Sequence, residues 1–173
     1  KDIAKMEAFL MKTSISSLKR TIEKIEKEMQ ELVKKDPPLK QLFDLMTSIP
    51  GVGAIVAVNM IVVTDEFKKF DDPNKFACYA GVVPFDHRSG SSIRGKSKVS
   101  HLANKKIKTL FHLAALSAIT VKGEIQEYYL RKVAEGKNKM SVINAIRNKL
   151  IHRIFAVIKR LTPYQKNIIA GLA

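Results

Sequence analysis

The sequence predicts an all-α protein, in which a long N-terminal coiled-coil helix leads into a helical domain containing a helix-hairpin-helix-like motif. Three observations carry that prediction. From Ala8 the apolar residues recur at alternating spacings of three and four through Met11, Ile15, Leu18, Ile22, Ile25, Met29 and Leu32, the seam of a coiled coil. Later stretches repeat a one-sided apolar pattern at the helical period, most clearly over 139–161. No stretch alternates apolar and polar residues with the period of two that a half-buried strand needs. The expected division is a dimerisation helix over 1–36 and a helical domain over 37–173.

Composition bounds the function before any motif does. The 173 residues are 46% hydrophobic, enough for one buried core. A net charge of +15 exceeds what solubility requires and points to a polyanionic partner, either nucleic acid or an anionic membrane surface. No apolar run approaches the roughly 18 residues of a membrane span. The best run, AIVAVNMIVV, carries Asn59 in its middle, so insertion into a membrane is not expected. With Cys78 the only cysteine and four scattered histidines, neither a disulfide framework nor a zinc site is expected. A reducing cytoplasm is then the default compartment. The chain starts at Lys1 rather than Met, and no signal sequence follows; the expectation is a piece of a longer protein.

The distribution of charge says more than its total. Residues 1–40 are close to balanced, with ten basic and seven acidic groups, and residues 41–85 are net acidic. Residues 86–108 hold seven basic groups against Asp86 alone, and residues 131–173 hold ten against Glu135 alone. Either tract by itself reads as a solvated helix face. Two one-sided tracts in one small chain favour a phosphate-binding surface, with Lys105, Lys106, Lys137 and Lys139 among its candidate contacts.

Each element follows from local signals. The first helix places Ile15 and Ile22 in one register of its seam and Leu18 in the other. That suits a two-stranded coil, and so a homodimer or higher oligomer through residues 8–33, although a long helix packed on its own domain fits as well. Pro37 and Pro38 end it, because they lack the amide donors of a helix interior. Residues 39–64 read as helix, hairpin, helix: Leu39, Leu42, Phe43 and Met46 lie at helical spacing, IPGVG breaks the run, and Ala54 to Val63 is apolar enough for a buried helix. In that hairpin Gly51 and Gly53 permit a tight turn whose backbone N–H groups could meet a DNA phosphate; a turn that serves only to pack is the alternative. Asp71, Asp72 and Pro73 open a short helix that Gly81 ends. After a basic serine loop over 84–100, the stretch 98–123 is predicted helical, with Leu102, Ile107, Leu110, Leu113, Ala114 and Ser117 inward and His112 at the core boundary. The last helix, Lys139 to Leu161, is expected to bury Ile143, Ile146, Leu150, Ile154, Phe155 and Ile158 and to turn Arg147, Lys149, Arg153, Lys159 and Arg160 to solvent.

The loop PFDHRSGSSIRGK holds the residues with the most chemistry. A serine hydroxyl attacks only when its proton is removed or the charge it creates is stabilised. His87 and Asp86 are the neighbouring bases, while Arg88, Arg94, Lys96 and Lys98 supply cations of the kind that suit a phosphoryl transition state. Gly90 and Gly95 allow the backbone to approach a ligand closely. These residues describe a phosphate-binding loop; composition alone does not make Ser89 a nucleophile.

Four blocks, SIPGVGAIVA, FKKFDDPNKFACYAGVVP, RSGSSIRGKSKVSHLANKKIKTLFHLAA and YYLRKVAEGKNKMSVINAIRNKLIHRIFAVIK, in this order and spacing resemble the C-terminal domain of insertion-sequence transposases of the IS-one-ten type. The resemblance covers nearly all of residues 39–163. It implies a bacterial, nucleoid-associated DNA recombinase in which Ser89, paired with Gly90, is the nucleophile that joins covalently to DNA. It also implies an N-terminal RuvC-like domain with a DEDD quartet holding Mg2+, which is absent from these residues, and in some members a guide RNA. Where such proteins often carry Gly-Asn ahead of the next helix, this chain has Ala103-Asn104; Asn104 remains a candidate nucleic-acid contact. The competing readings are a non-catalytic helix-hairpin-helix module of a repair or replication protein and a structural coiled-coil adaptor.

Overall fold

The computed structural model describes residues 2–83, 88–89, 93–94 and 103–165, with side chains over 5–7, 9–83 and 103–165. In chain order the elements are α1 (Asp2–Lys35), α2 (Pro37–Thr47), α3 (Ala54–Thr64), α4 (Pro73–Tyr79), β1 (Arg88–Ser89), β2 (Ile93–Arg94), α5 (Lys105–Thr120), α6 (Glu124–Ala134) and α7 (Lys139–Arg160). The all-α class holds, with one departure: β1 and β2 pair as a two-residue antiparallel ladder. The chain divides into two compact units, residues 1–40 and 41–173.

In the first unit, α1 leaves its seam exposed: Met11, Ile15, Leu18, Ile22, Ile25 and Leu32 are each at least half accessible. Its pairs Lys24–Glu28 and Lys34–Glu31 are solvent-exposed and contribute little to stability. At Asp36 the backbone bends, and its carboxylate accepts a hydrogen bond from the Leu39 amide at 3.1 Å. The two prolines therefore open α2 as well as ending α1, because first-turn amides have no partner inside a helix.

The second unit builds its core around Phe76 of α4, which is fully buried. Its ring packs against Phe70, Phe111 and Phe155 with centroid separations of 5.3, 6.2 and 5.7 Å. α3 ends in three successive left-handed residues, Asp65, Glu66 and Phe67, with φ of 50, 55 and 66°. Each costs about 1–2 kcal/mol for a residue bearing a Cβ. Holding them are the buried Thr64 hydroxyl, which donates to the Met60 carbonyl and accepts from the Phe67 amide, and the edge-on packing of Phe67 against Phe155.

Three sequence expectations change. α5 starts at Lys105 and turns Ile107, Phe111, Ala114, Ala115 and Ala118 inward, leaving Leu113 and Ser117 exposed. The larger leucines yield to alanines because Gly51 approaches α5 so closely that a Cβ on it would lie 2.5 Å from the Ala118 Cβ. Arg147, expected in solvent, is buried at 7% exposure, and the Arg153 side chain is mostly covered. α6 fills a stretch to which the sequence reading assigned no element.

α5 and α7 lie side by side and run in the same direction. His112 touches Arg147, and Ala118 and Arg153 line one cavity; six residues along α5 match six along α7. Their N-termini therefore share one end of the unit.

Candidate nucleic-acid interface

The basic loop is pinned at both roots. On the far side the Asn104 amide donates to the Tyr79 carbonyl at 2.9 Å. The Asn104 side chain donates from Nδ2 to the Tyr79 hydroxyl at 2.7 Å and accepts at Oδ1 from the Ile107 amide at 3.1 Å, capping α5. Asn104 thus helps hold the root of the loop. On the near side Asn144 Nδ2 donates to the Val82 carbonyl at 2.8 Å.

Behind Asn144 sits a part-buried polar cluster that the sequence reading missed. Arg147 donates from Nη1 to Asn144 Oδ1 at 3.3 Å and from Nη2 to His112 Nδ1 at 2.6 Å. A guanidinium has only donors, so Nδ1 accepts and the imidazole proton resides on Nε2. Burial, and then the charge of Arg147, hold His112 below the ordinary imidazole range. Among the described residues Arg147 Nε has no hydrogen-bond partner and no carboxylate pairs with the guanidinium. Spacing alone could have located it: Arg147 lies four residues from both Ile143 and Ile151, within the buried stripe.

Next to these roots lie the N-termini of α5 and α7. Neither helix has an acidic residue in its first turn, where a carboxylate would be favoured by the positive end of the helix dipole. Instead Lys105 and Lys106 open α5, and Lys137 and Lys139 flank the start of α7, all four exposed. Asn138 caps α7 by accepting from the Met140 and Ser141 amides. Two dipole ends and four ammonium groups at one end of a domain make a strongly anion-attracting surface.

The predicted loop residues divide. Arg88, Ser89 and Arg94 fall on the ladder, with Arg88 opposite Arg94 and Ser89 opposite Ile93. Gly90, Lys96 and Lys98 lie outside the described residues, as do Ser91 and Ser92. Gly51 lies away from this end, against Ala114 and Ala118 of α5 with φ +89°; close packing accounts for its missing side chain. Gly53 precedes α3 with open space around it.

Residues 44–130, half of the chain, match the Transposase IS116/IS110/IS902 family. The chain is 29% identical over 149 residues to the pilin gene-inverting protein of Moraxella lacunata, covering 86% of this chain and 46% of that protein. It is 28% identical, with the same coverage, to the protein of that name from Moraxella bovis. With the insertion element IS110 uncharacterized 43.6 kDa protein of Streptomyces coelicolor it shares 26% over 160 residues, 92% of this chain and 38% of that protein. The chain thus spans less than half the length of these relatives.

Proposed function

The chain belongs to the Transposase IS116/IS110/IS902 family, and from that membership we propose that it is the DNA-binding, strand-joining part of a transposase in which Ser89 is the nucleophile. The observation that carries the reading is the shared end of α5 and α7, where Lys105, Lys106, Lys137 and Lys139 stand beside the pinned roots of the serine loop.

In the proposed step the Ser89 oxygen forms a bond to phosphorus as the bond from phosphorus to a sugar oxygen breaks. The serine proton passes to a base, for which Asp86 and His87 are the sequence neighbours, and the departing sugar oxygen takes up a proton. Arg88, Arg94, Lys96 and Lys98 neutralise the phosphate, and Gly90 gives it room. Among the described residues no group of three His, Cys, Asp or Glu side chains comes together, and no step here runs through magnesium. Two copies pair through residues 8–33, where Met11, Ile15, Leu18, Ile22, Ile25 and Leu32 are exposed, setting two serines on one DNA. A guide RNA would meet the same basic end.

The test is Ser89→Ala in the full-length recombinase. Strand joining should fall about a thousandfold or more while DNA affinity stays within about twofold, with Ser91→Ala and Ser92→Ala as active controls. Undiminished joining by Ser89→Ala would remove the serine from the chemistry.

A further inference from the structure

At the opposite end of α5, about 22 Å from Lys105 at 1.5 Å per residue, α6, α7 and the segment after α7 enclose a second polar region that the serine chemistry does not use. Its centre is Glu124, which accepts from Lys149 at 3.0 Å, from Arg153 at 2.6 Å and from the Tyr164 hydroxyl at 3.4 Å. Burial alone would raise this carboxyl; the hydrogen bonds and charges of Lys149 and Arg153 outweigh it and keep the group ionised. The carboxylate therefore fixes two cations, and each of them also lies over a tyrosine. Lys149 Nζ is 4.8 Å from the Tyr128 ring centroid, and the Arg153 guanidinium is 4.9 Å from that of Tyr164.

Cavities open on both sides of Glu124. One, of about 440 Å³, is lined by Arg153, Arg160 and Tyr164; the other, of about 340 Å³, by Tyr128, Arg131 and Lys149. Four cations thus face the two carboxylates of Glu124 and Glu127. Among the described residues Arg160 has no carboxylate partner, and Arg131 reaches Glu135 only at 4.0 Å on an exposed surface. Both cavities fall within the size range of small-molecule sites. Two tyrosine-bearing cavities in an electropositive groove form the pattern that holds unpaired bases: rings for the bases and cations for the intervening phosphates. A duplex, whose bases stay stacked inside, cannot lower them into such cavities.

We infer that the groove across Glu124, from Tyr128 and Arg131 to Arg160 and Tyr164, binds an unpaired sugar–phosphate strand, separately from the surface beside the serine loop. The inference rests on the reading that this chain handles nucleic acid. The strand can be DNA opened during joining or RNA, and the groove recognises what the two share.

The test is fluorescence anisotropy of the 173-residue chain with labelled 12-nucleotide oligo-dT, 12-nucleotide oligo-rU and a 12-base-pair DNA duplex. Tyr128→Leu and Arg160→Ala should each weaken binding of an unpaired probe about tenfold and leave duplex affinity within about twofold; comparison of the dT and rU probes identifies the source. As a measurement that needs no variant, 5-iodouracil-substituted oligo-dT irradiated with the unaltered chain should cross-link to peptides containing Tyr128 or Tyr164. Unchanged affinity for unpaired probes with duplex binding intact, or cross-links confined to other peptides, would overturn the groove alone. Failure of the unaltered chain to bind any of the three probes would overturn the nucleic-acid reading with it.

Discussion

α1 and α7 are both long amphipathic helices with isoleucine- and leucine-rich stripes, yet they end in opposite states. Leu18 of α1 is 63% exposed, whereas Leu150 of α7 is wholly buried. The α7 stripe meets α4, α5 and α6 in its own unit; the α1 stripe, with its strict seam spacing and charged flanks, stays largely exposed. A hydrophobic period thus specifies that a face must be covered without specifying by what. The strict spacing of three and four along α1, against the broader stripe of α7 that includes Val142, Ile143, Ile146, Leu150, Ile151 and Ile154, is the part of the pattern that separates the two cases.

The largest effect tests that contrast directly. Leu150→Ala should cost about 2–5 kcal/mol in urea unfolding, the range for a large-to-small change in a packed core. Leu18→Ala should change unfolding of the second unit by less than about 0.5 kcal/mol and instead weaken self-association, read by sedimentation velocity over a concentration series. Equal destabilisation by the two changes would mean that the α1 stripe is covered within its own chain, and the proposed pairing would be lost.

A smaller effect of the same kind lies within the turn between α2 and α3, where two glycines two residues apart respond oppositely to one substitution. Gly51→Ser puts a Cβ 2.5 Å from the Ala118 Cβ and 2.7 Å from the Ala114 carbonyl oxygen, at φ +89°; about 2–4 kcal/mol of destabilisation is expected from overpacking and strain together. Gly53→Ser enters open space at φ −91° and supplies a cap that α3 lacks; a gain of about 0.5 kcal/mol is expected. Thermal unfolding of both variants separates them. Should Gly53→Ser keep its stability and lose DNA binding, the turn regains the phosphate role its sequence suggested.

Much of this architecture was legible because it rests on local signals. The seam of α1, Pro37 and Pro38 at the junction with α2, Pro73 at the start of α4, and the apolar stripe of α7 are written within a few residues of where they act. What escaped depends on partners distant in sequence. The inward face of α5 is chosen by how near Gly51 comes, so small Ala115 and Ala118 displace Leu113 from the core. The side-chain amide of Asn104 also bonds Tyr79, twenty-five residues earlier, and the Ile107 amide, a structural use that the local sequence does not display. For the candidate site, Lys105, Lys106, Lys137 and Lys139 were recognisable as charge; their convergence follows only from the parallel packing of α5 and α7. The groove at Glu124 joins Tyr128, Lys149, Arg153 and Tyr164 from α6, α7 and the segment beyond α7, a combination no single stretch displays.

A last prediction concerns the one charge that α7 buries. α1 carries its lysines and glutamates in solvent, whereas Arg147 is held against His112 with its charge uncompensated by any described carboxylate. His112 is therefore neutral in the folded chain and titrates below its unfolded value. As pH falls through the ordinary imidazole range, the unfolded chain takes up a proton that the folded chain refuses, so stability is full above that range and declines below it. The slope contributed by this one group is at most about 1.4 kcal/mol per pH unit. His112→Gln, whose amide oxygen can still accept from Arg147, should remove that contribution between pH 7 and 5 while leaving the rest of the acid limb, set by carboxylates such as Glu124, in place. Urea unfolding of both proteins across that interval reads the difference; identical slopes would mean that His112 gains its proton without loss of the α5–α7 contact, and that the buried guanidinium is tolerated for a reason other than a neutral imidazole beside it.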